Sequence, residues 1–173
     1  MELDVAVERS MSVPADRVAA VMFDPTQDRT WMQALTAVDV LDQPVAIGAR
    51  VRRQARFMGK DISWITVVRT YEPGRCLELD IAEGPFVGVV TYEIEPAGDS
   101  SKVRIRNVGA PGQFAWMPSG LVRMAMRRSL VKDLQRLEAA VTGQEGTRAI
   151  WRAFSGVRNR YVVSETTSSA WAT

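Results

Sequence analysis

Histidine is absent from this 173-residue chain, and cysteine occurs once, at Cys76. Without histidine the commonest general base and the commonest metal ligand are both missing. A Ser-His-Asp or Cys-His arrangement is therefore excluded, as is a zinc site of ordinary composition. A lone cysteine cannot close an internal disulfide, so nothing calls for an oxidising compartment. Long apolar runs are also missing: none approaches the ~20 residues a membrane helix needs, and the first residues alternate like a strand instead of forming a signal peptide. These absences lead us to expect a cytoplasmic protein with no stable membrane insertion. There is no internal repeat and no low-complexity block.

A strong field of one charge sign is lacking too. The pI near 9.0 invites a nucleic-acid reading, but the net charge is only +2. Residues 144–173 carry Arg148, Arg152, Arg158 and Arg160 against Glu145 and Glu165, which already supplies that +2 (4 − 2). The first 143 residues hold equal numbers of basic and acidic side chains, 18 each (22 − 4 and 20 − 2). No nucleic-acid partner is expected.

What is present is ordinary soluble-protein material, 46% hydrophobic and 24% charged, in a length that suits one domain with a sizeable core. Its dominant element is a long amphipathic helix over 118–142. Pro118 and Ser119 start it, Gly143 is expected to stop it, and Val122, Met126, Leu130, Leu134, Leu137 and Val141 recur at spacings of three or four. Arg123, Arg127, Arg128, Lys132, Arg136 and Glu138 occupy the other side, so one apolar stripe must be covered by the rest of the chain.

Upstream, residues 2–13 alternate as a first strand with Arg9 the odd member of its inner face. Pro14 opens a helix to Asp24, and a second short helix is expected over 26–35. Strands follow at about 37–42, 48–58, 61–71, 75–82, 86–95 and 101–109, separated by Pro- and Gly-containing turns too short for parallel crossovers. The expectation is an α+β fold: a seven-stranded antiparallel sheet wrapped around a long C-terminal helix, with two short helices between strands 1 and 2. Residues 1–143 would form this domain and 144–173 a tail. Within the tail, Ile150, Trp151, Phe154, Val157 and Tyr161 are too apolar for a simple linker. A helix docking on a second copy as a homodimer, or on a membrane surface, is one reading; a partly ordered extension is the other.

The order of these elements is matched by local motifs. Val13-Pro14-Ala15-Asp16-Arg17-Val18, Asp24-Pro25 leading to Trp31, Gly48-Ala49, Tyr71-Glu72-Pro73-Gly74-Arg75, Gly84-Pro85-Phe86, Thr91-Tyr92-Glu93-Ile94 and Asp133-Leu134 together resemble the START-related (SRPBCC) superfamily. The likeness is to its polyketide cyclase/dehydrase-like and lipid-transport branch, over residues 1–142. The resemblance implies a helix-grip fold with a deep apolar cavity between sheet and helix, and members that carry, sense or cyclise hydrophobic molecules. It does not imply one reaction. Ala19 departs from the pattern, which often has an aromatic residue there; either the cavity mouth is enlarged or the site is repacked.

In such a cavity the inner strand phases and the helix stripe bring forward Trp31, Phe57, Trp64, Leu79, Phe86, Val90, Phe114, Trp116, Met126 and Leu130 as apolar wall, with ordinary core packing the alternative for each. Polar members of the inner phase say more, because an unpaired polar group is costly to bury. They are Arg9, Arg53, Tyr92 and Asn107. Tyr92 and Asn107 are candidates to orient a carbonyl or hydroxyl, and the arginines to hold a carboxylate or phosphate head group. Carboxylates fall mostly in the outer phase, so no acid/base pair is visible and Tyr92 is the candidate proton donor of any enzyme. Two functions follow: binding or transport of a small hydrophobic ligand such as a lipid, polyketide or isoprenoid, or a polyketide cyclase/aromatase acting in the same cavity. Neither calls for a cofactor or a metal.

Overall fold

The computed structural model describes residues 2–158, with side chains to residue 143. Burial of Leu3, Val5, Val7 and Met11 on one side, with solvent on the other, makes β1 (Leu3–Met11) a half-covered strand. Pro14, its φ of −58° suited to a helix entrance, precedes α1 (Ala15–Met22). A 3-10 turn, Pro25–Gln27, is capped by the Asp24 carboxylate on the Thr26 amide and runs into α2 (Asp28–Trp31). The helix expected over 26–35 is thus two short pieces. Its continuation is lost because the Gln33 amide donates to the Asp133 carboxylate at 3.0 Å instead of to a carbonyl one turn back.

The strands β2 (Leu35–Val40), β3 (Arg50–Phe57), β4 (Lys60–Glu72), β5 (Cys76–Glu83), β6 (Val87–Ala97) and β7 (Ser100–Ala110) form with β1 one seven-stranded sheet in the order β1-β7-β6-β5-β4-β3-β2. Every neighbouring pair is antiparallel. β2 begins two residues earlier than expected because Leu35 already pairs with Ala55. Two hairpins are as tight as hairpins can be. Phe57 pairs with Lys60 across Met58 and Gly59, both at positive φ, and Ala97 pairs with Ser100 across Gly98, at φ 65°, and Asp99. Register shifts between β4 and β5 at Ile65/Thr66 and Val68/Thr70 bend the sheet. The β3–β4 ladder has none, which keeps Arg53 in the inner phase.

After a 3-10 turn at Gly112–Phe114, α3 runs from Ser119 to Arg158. Gly143 does not stop it: a lone glycine weakens a helix by about 1 kcal/mol without breaking it. The chain divides into two compact units, Met1–Thr142 and Gly143–Thr173. The side chains on which the homodimer or membrane-docking reading of the tail rests lie outside the described residues.

Within the first unit the buried apolar residues fall into two clusters. One joins α1, Trp31, Leu77, Leu79, Tyr92, Ile94, Val103 and Ile105 to Leu134, Leu137 and Val141 of the helix; Ala19 is packed into it, so that position is repacked. The other joins Leu3, Ala55, Ile62, Phe114 and Val122, with Phe57, Trp64 and Phe86 against it.

Candidate functional site

A hollow of about 170 Å³ draws its wall from both clusters. Strands β3 to β7 supply Arg53, Ala55, Phe57, Trp64, Leu79, Val90, Tyr92 and Asn107, and the β5–β6 turn adds Phe86. α3 supplies Met126, Leu130 and Asp133, and Trp31 reaches in from α2. These positions follow from period two in the strands and from the i, i+4, i+7 spacing of 126, 130 and 133 on the helix. The volume is close to that of an apolar cavity that holds a benzene molecule, and below the range of most drug-sized sites.

The polar members are held by one another. Arg53, 5% exposed in its side chain, donates from Nε to Asp28 Oδ2 at 2.7 Å and from Nη1 to Thr66 Oγ1, also at 2.7 Å. Burial pushes the Asp28 carboxyl up to about 6, with the Arg53 charge pulling it back. At neutral pH the pair is therefore mostly ionised and internally neutral. Asp133 accepts from the Gln33 amide through Oδ1, and burial raises its carboxyl to about 6 against the opposing pull of that amide and of Arg136. Tyr92, edge-on to Trp31 with ring centroids 6.0 Å apart, has its phenol pushed up by burial. It stays protonated at ordinary pH, which suits it to hold a ligand oxygen by a hydrogen bond and makes it a weaker acid than a free tyrosine. Two further groups are buried without a partner, Trp31 Nε1 and Asn107 Oδ1. The Asn107 amide nitrogen lies 3.8 Å from Met126 Sδ.

Of the candidates from the sequence, Trp31, Arg53, Phe57, Trp64, Leu79, Phe86, Val90, Tyr92, Asn107, Met126 and Leu130 line the hollow. Three do not. Arg9 is inner-phase but reaches sideways to Glu138 of α3, Nε to Oε2 at 2.5 Å, with its side chain 39% exposed. Phe114 is buried but stacks on Phe86 at 5.1 Å and meets Phe57 edge-on at 5.5 Å instead of reaching the hollow. Trp116 is 72% exposed, with the Lys60 ammonium 5.8 Å from its ring centre. Arg53 stands in the wall with its charge already paired to Asp28, so a ligand anion there would have to compete with that carboxylate. The expectation that carboxylates lie outside missed two. Asp28 sits in a helical turn where strand alternation does not apply. Asp133 stands three residues after Leu130 and four before Leu137, a spacing that puts it on the apolar stripe.

A bent antiparallel sheet closed by a long C-terminal helix, with a hollow between them, defines a helix-grip protein of the START-related superfamily. The chain belongs to the polyketide cyclase/dehydrase and lipid transport family, whose model matches residues 2–142. Solved structures agree on the fold. A Thermus thermophilus protein superimposes with a TM-score of 0.73 at 20% identity, covering 82% of this chain and 99% of that one. A START superfamily protein from Mycobacterium smegmatis gives 0.70 at 16%, covering 82% and 98%. The ZhuI aromatase/cyclase of a Streptomyces species gives 0.69 at 16%, covering 82% and 94%. No curated protein matches the chain. The solved structures show the fold; at the level of the family, the matching model supports hydrophobic-ligand binding or cyclase chemistry. Among the described residues no helix is long and apolar enough to cross a membrane.

Proposed function

We propose that this protein binds a small hydrophobic molecule in the hollow between sheet and α3. The observation that carries the reading is a partly open space of about 170 Å³ between the sheet and α3, walled mainly by aromatic and aliphatic side chains. The space favours a one-ring molecule over a long-chain lipid in the shape described. Burying roughly 200 Å² of such a ligand at ~25 cal/mol/Å² contributes about 5 kcal/mol before association costs, which points to weak affinity unless polar groups add to it. Titration with toluene, read by calorimetry and by thermal melting, tests this. Saturable binding, with a Tm that rises with ligand concentration, is expected, and failure of both toluene and its hydroxylated counterpart phenol to bind at millimolar concentration overturns it.

A cyclase acting in the same hollow is favoured by one observation. Asp133 reaches the wall with its carboxyl near 6, where it exchanges protons at physiological pH, and Tyr92 stands ready as a hydrogen-bond donor to an enolate oxygen. Turnover of a poly-β-ketone that is lost in Asp133→Asn supports that reading; turnover unchanged in both Asp133→Asn and Tyr92→Phe removes it.

A further inference from the structure

Two buried groups in the wall lack partners, and they are of opposite kinds. The indole Nε1–H of Trp31 can only donate; Asn107 Oδ1 can only accept. Neither is free to turn away. Trp31 is 1% exposed and is fixed edge-on against Tyr92, so its N–H cannot swing to solvent. The Asn107 amide is oriented by its nitrogen, which faces the Met126 sulfur, a weak acceptor. Turning the amide over would set two acceptors against each other. Buried groups of this kind are almost always satisfied, and an exception in a cavity wall points to a missing partner.

The charge in the wall narrows what that partner is. Arg53 is neutralised by Asp28, and Asp133 adds a carboxyl to the same wall. An anionic ligand would therefore meet no free cation among these groups and one like charge. An ammonium could face Asp133 but could accept nothing from Trp31. A carbonyl could accept from Trp31 but offers nothing to Asn107. A hydroxyl does both.

We infer that the ligand is an uncharged, single-ring molecule that carries a hydroxyl group and is recognised by Trp31 as donor and Asn107 as acceptor. This rests on the ligand-binding reading of the hollow and specifies its polar complement. An alcohol or phenol thus suits this wall better than the carboxylates that an arginine in a cavity would ordinarily suggest.

The test compares toluene, phenol, anisole and benzoate on the full chain by calorimetric titration, in wild type, Asn107→Leu and Trp31→Phe, with folding of each variant checked by circular dichroism. Phenol is expected to bind wild type more tightly than anisole, which accepts but cannot donate, and benzoate is expected to bind least. The phenol-to-toluene affinity ratio should fall roughly three- to tenfold in each variant, the worth of one hydrogen bond, while toluene still binds. If toluene binds but that ratio is the same in wild type and Asn107→Leu, ordered water satisfies the two groups and the inference is overturned while the hollow remains a binding site. Tightest binding of benzoate also overturns it. Failure of both toluene and phenol to bind wild type overturns the inference together with the binding reading. Should Trp31→Phe fail to fold, the phenol–anisole comparison and Asn107→Leu still decide the matter.

Discussion

Replacing Asp133 by asparagine should make the protein more stable at neutral pH. Asp133 is 7% exposed as a residue, and burial raises its carboxyl from 3.8 to about 6. A shift of about 2 units at ~1.4 kcal/mol per unit is worth about 3 kcal/mol between the protonated and ionised forms. The sign follows from which state holds the proton. Between pH 4 and 6 the folded chain keeps it and the unfolded chain has released it, so stability falls as pH rises through that window, and the whole cost is present above it. Asparagine retains an oxygen to accept from the Gln33 amide, now at 3.0 Å from Oδ1, and carries no charge to desolvate. Asp133→Asn is therefore expected to gain up to about 3 kcal/mol at pH 7 and nothing at pH 4. Urea denaturation of wild type and variant at half-unit steps from pH 4 to 7.5 reads the difference directly, and subtracting the two curves cancels Asp28, which titrates in the same range. A flat difference curve, or a variant less stable at pH 7, would refute the argument.

Other perturbations follow from the same geometry. Arg53→Met leaves Asp28 buried without its ion partner and should cost about 3–5 kcal/mol in chemical denaturation; adding Asp28→Asn should recover part of that loss, because no charge is then stranded. Gly88 and Gly109 face each other across β6 and β7, and a Cβ on Gly88 would lie 2.1 Å from the Val108 carbonyl oxygen, backbone that has no easy way to yield. Gly88→Ala should therefore lower Tm and cost roughly 2–4 kcal/mol. Arg9→Ala, by contrast, removes a half-exposed ion pair, and a change of no more than about 1 kcal/mol with toluene affinity unaltered is expected from denaturation and calorimetry. A large loss of ligand affinity in that variant would place Arg9 at the hollow after all.

Elements with a strict period could be read from the sequence. The alternation in β3 put Arg53 inward among Val51 and Ala55, where it is found, and the stripe of α3 gave the face that meets the sheet. Legibility failed where a side chain reaches along an element or where no period applies. Arg9 has the phase of an inner residue, but its long chain extends to Glu138, and no pattern reports reach. Trp116 and Phe114 lie two residues apart in an irregular connection, one exposed and one buried, and composition does not separate them. Asp28 could be understood only once Arg53 and Thr66 were placed beside it in space. Asp133 was legible in principle, since its position on the stripe can be counted, but a carboxylate among leucines is ordinarily taken for a break in the pattern.

The pairing of β1 with β7 bears on how this chain comes to exist. Leu3 lies opposite Gly109, 106 positions on (109 − 3). At ~5–20 residues added per second, the first strand emerges roughly 5 to 20 s before its partner has been synthesised. For that time Leu3, Val5, Val7 and Met11 have no native neighbour strand, and the apolar stripe must wait in the company of chaperones or of provisional contacts. A nascent chain released before the seventh strand would strand both the first strand and the edge of the sixth, so premature termination should yield insoluble product instead of a smaller folded protein.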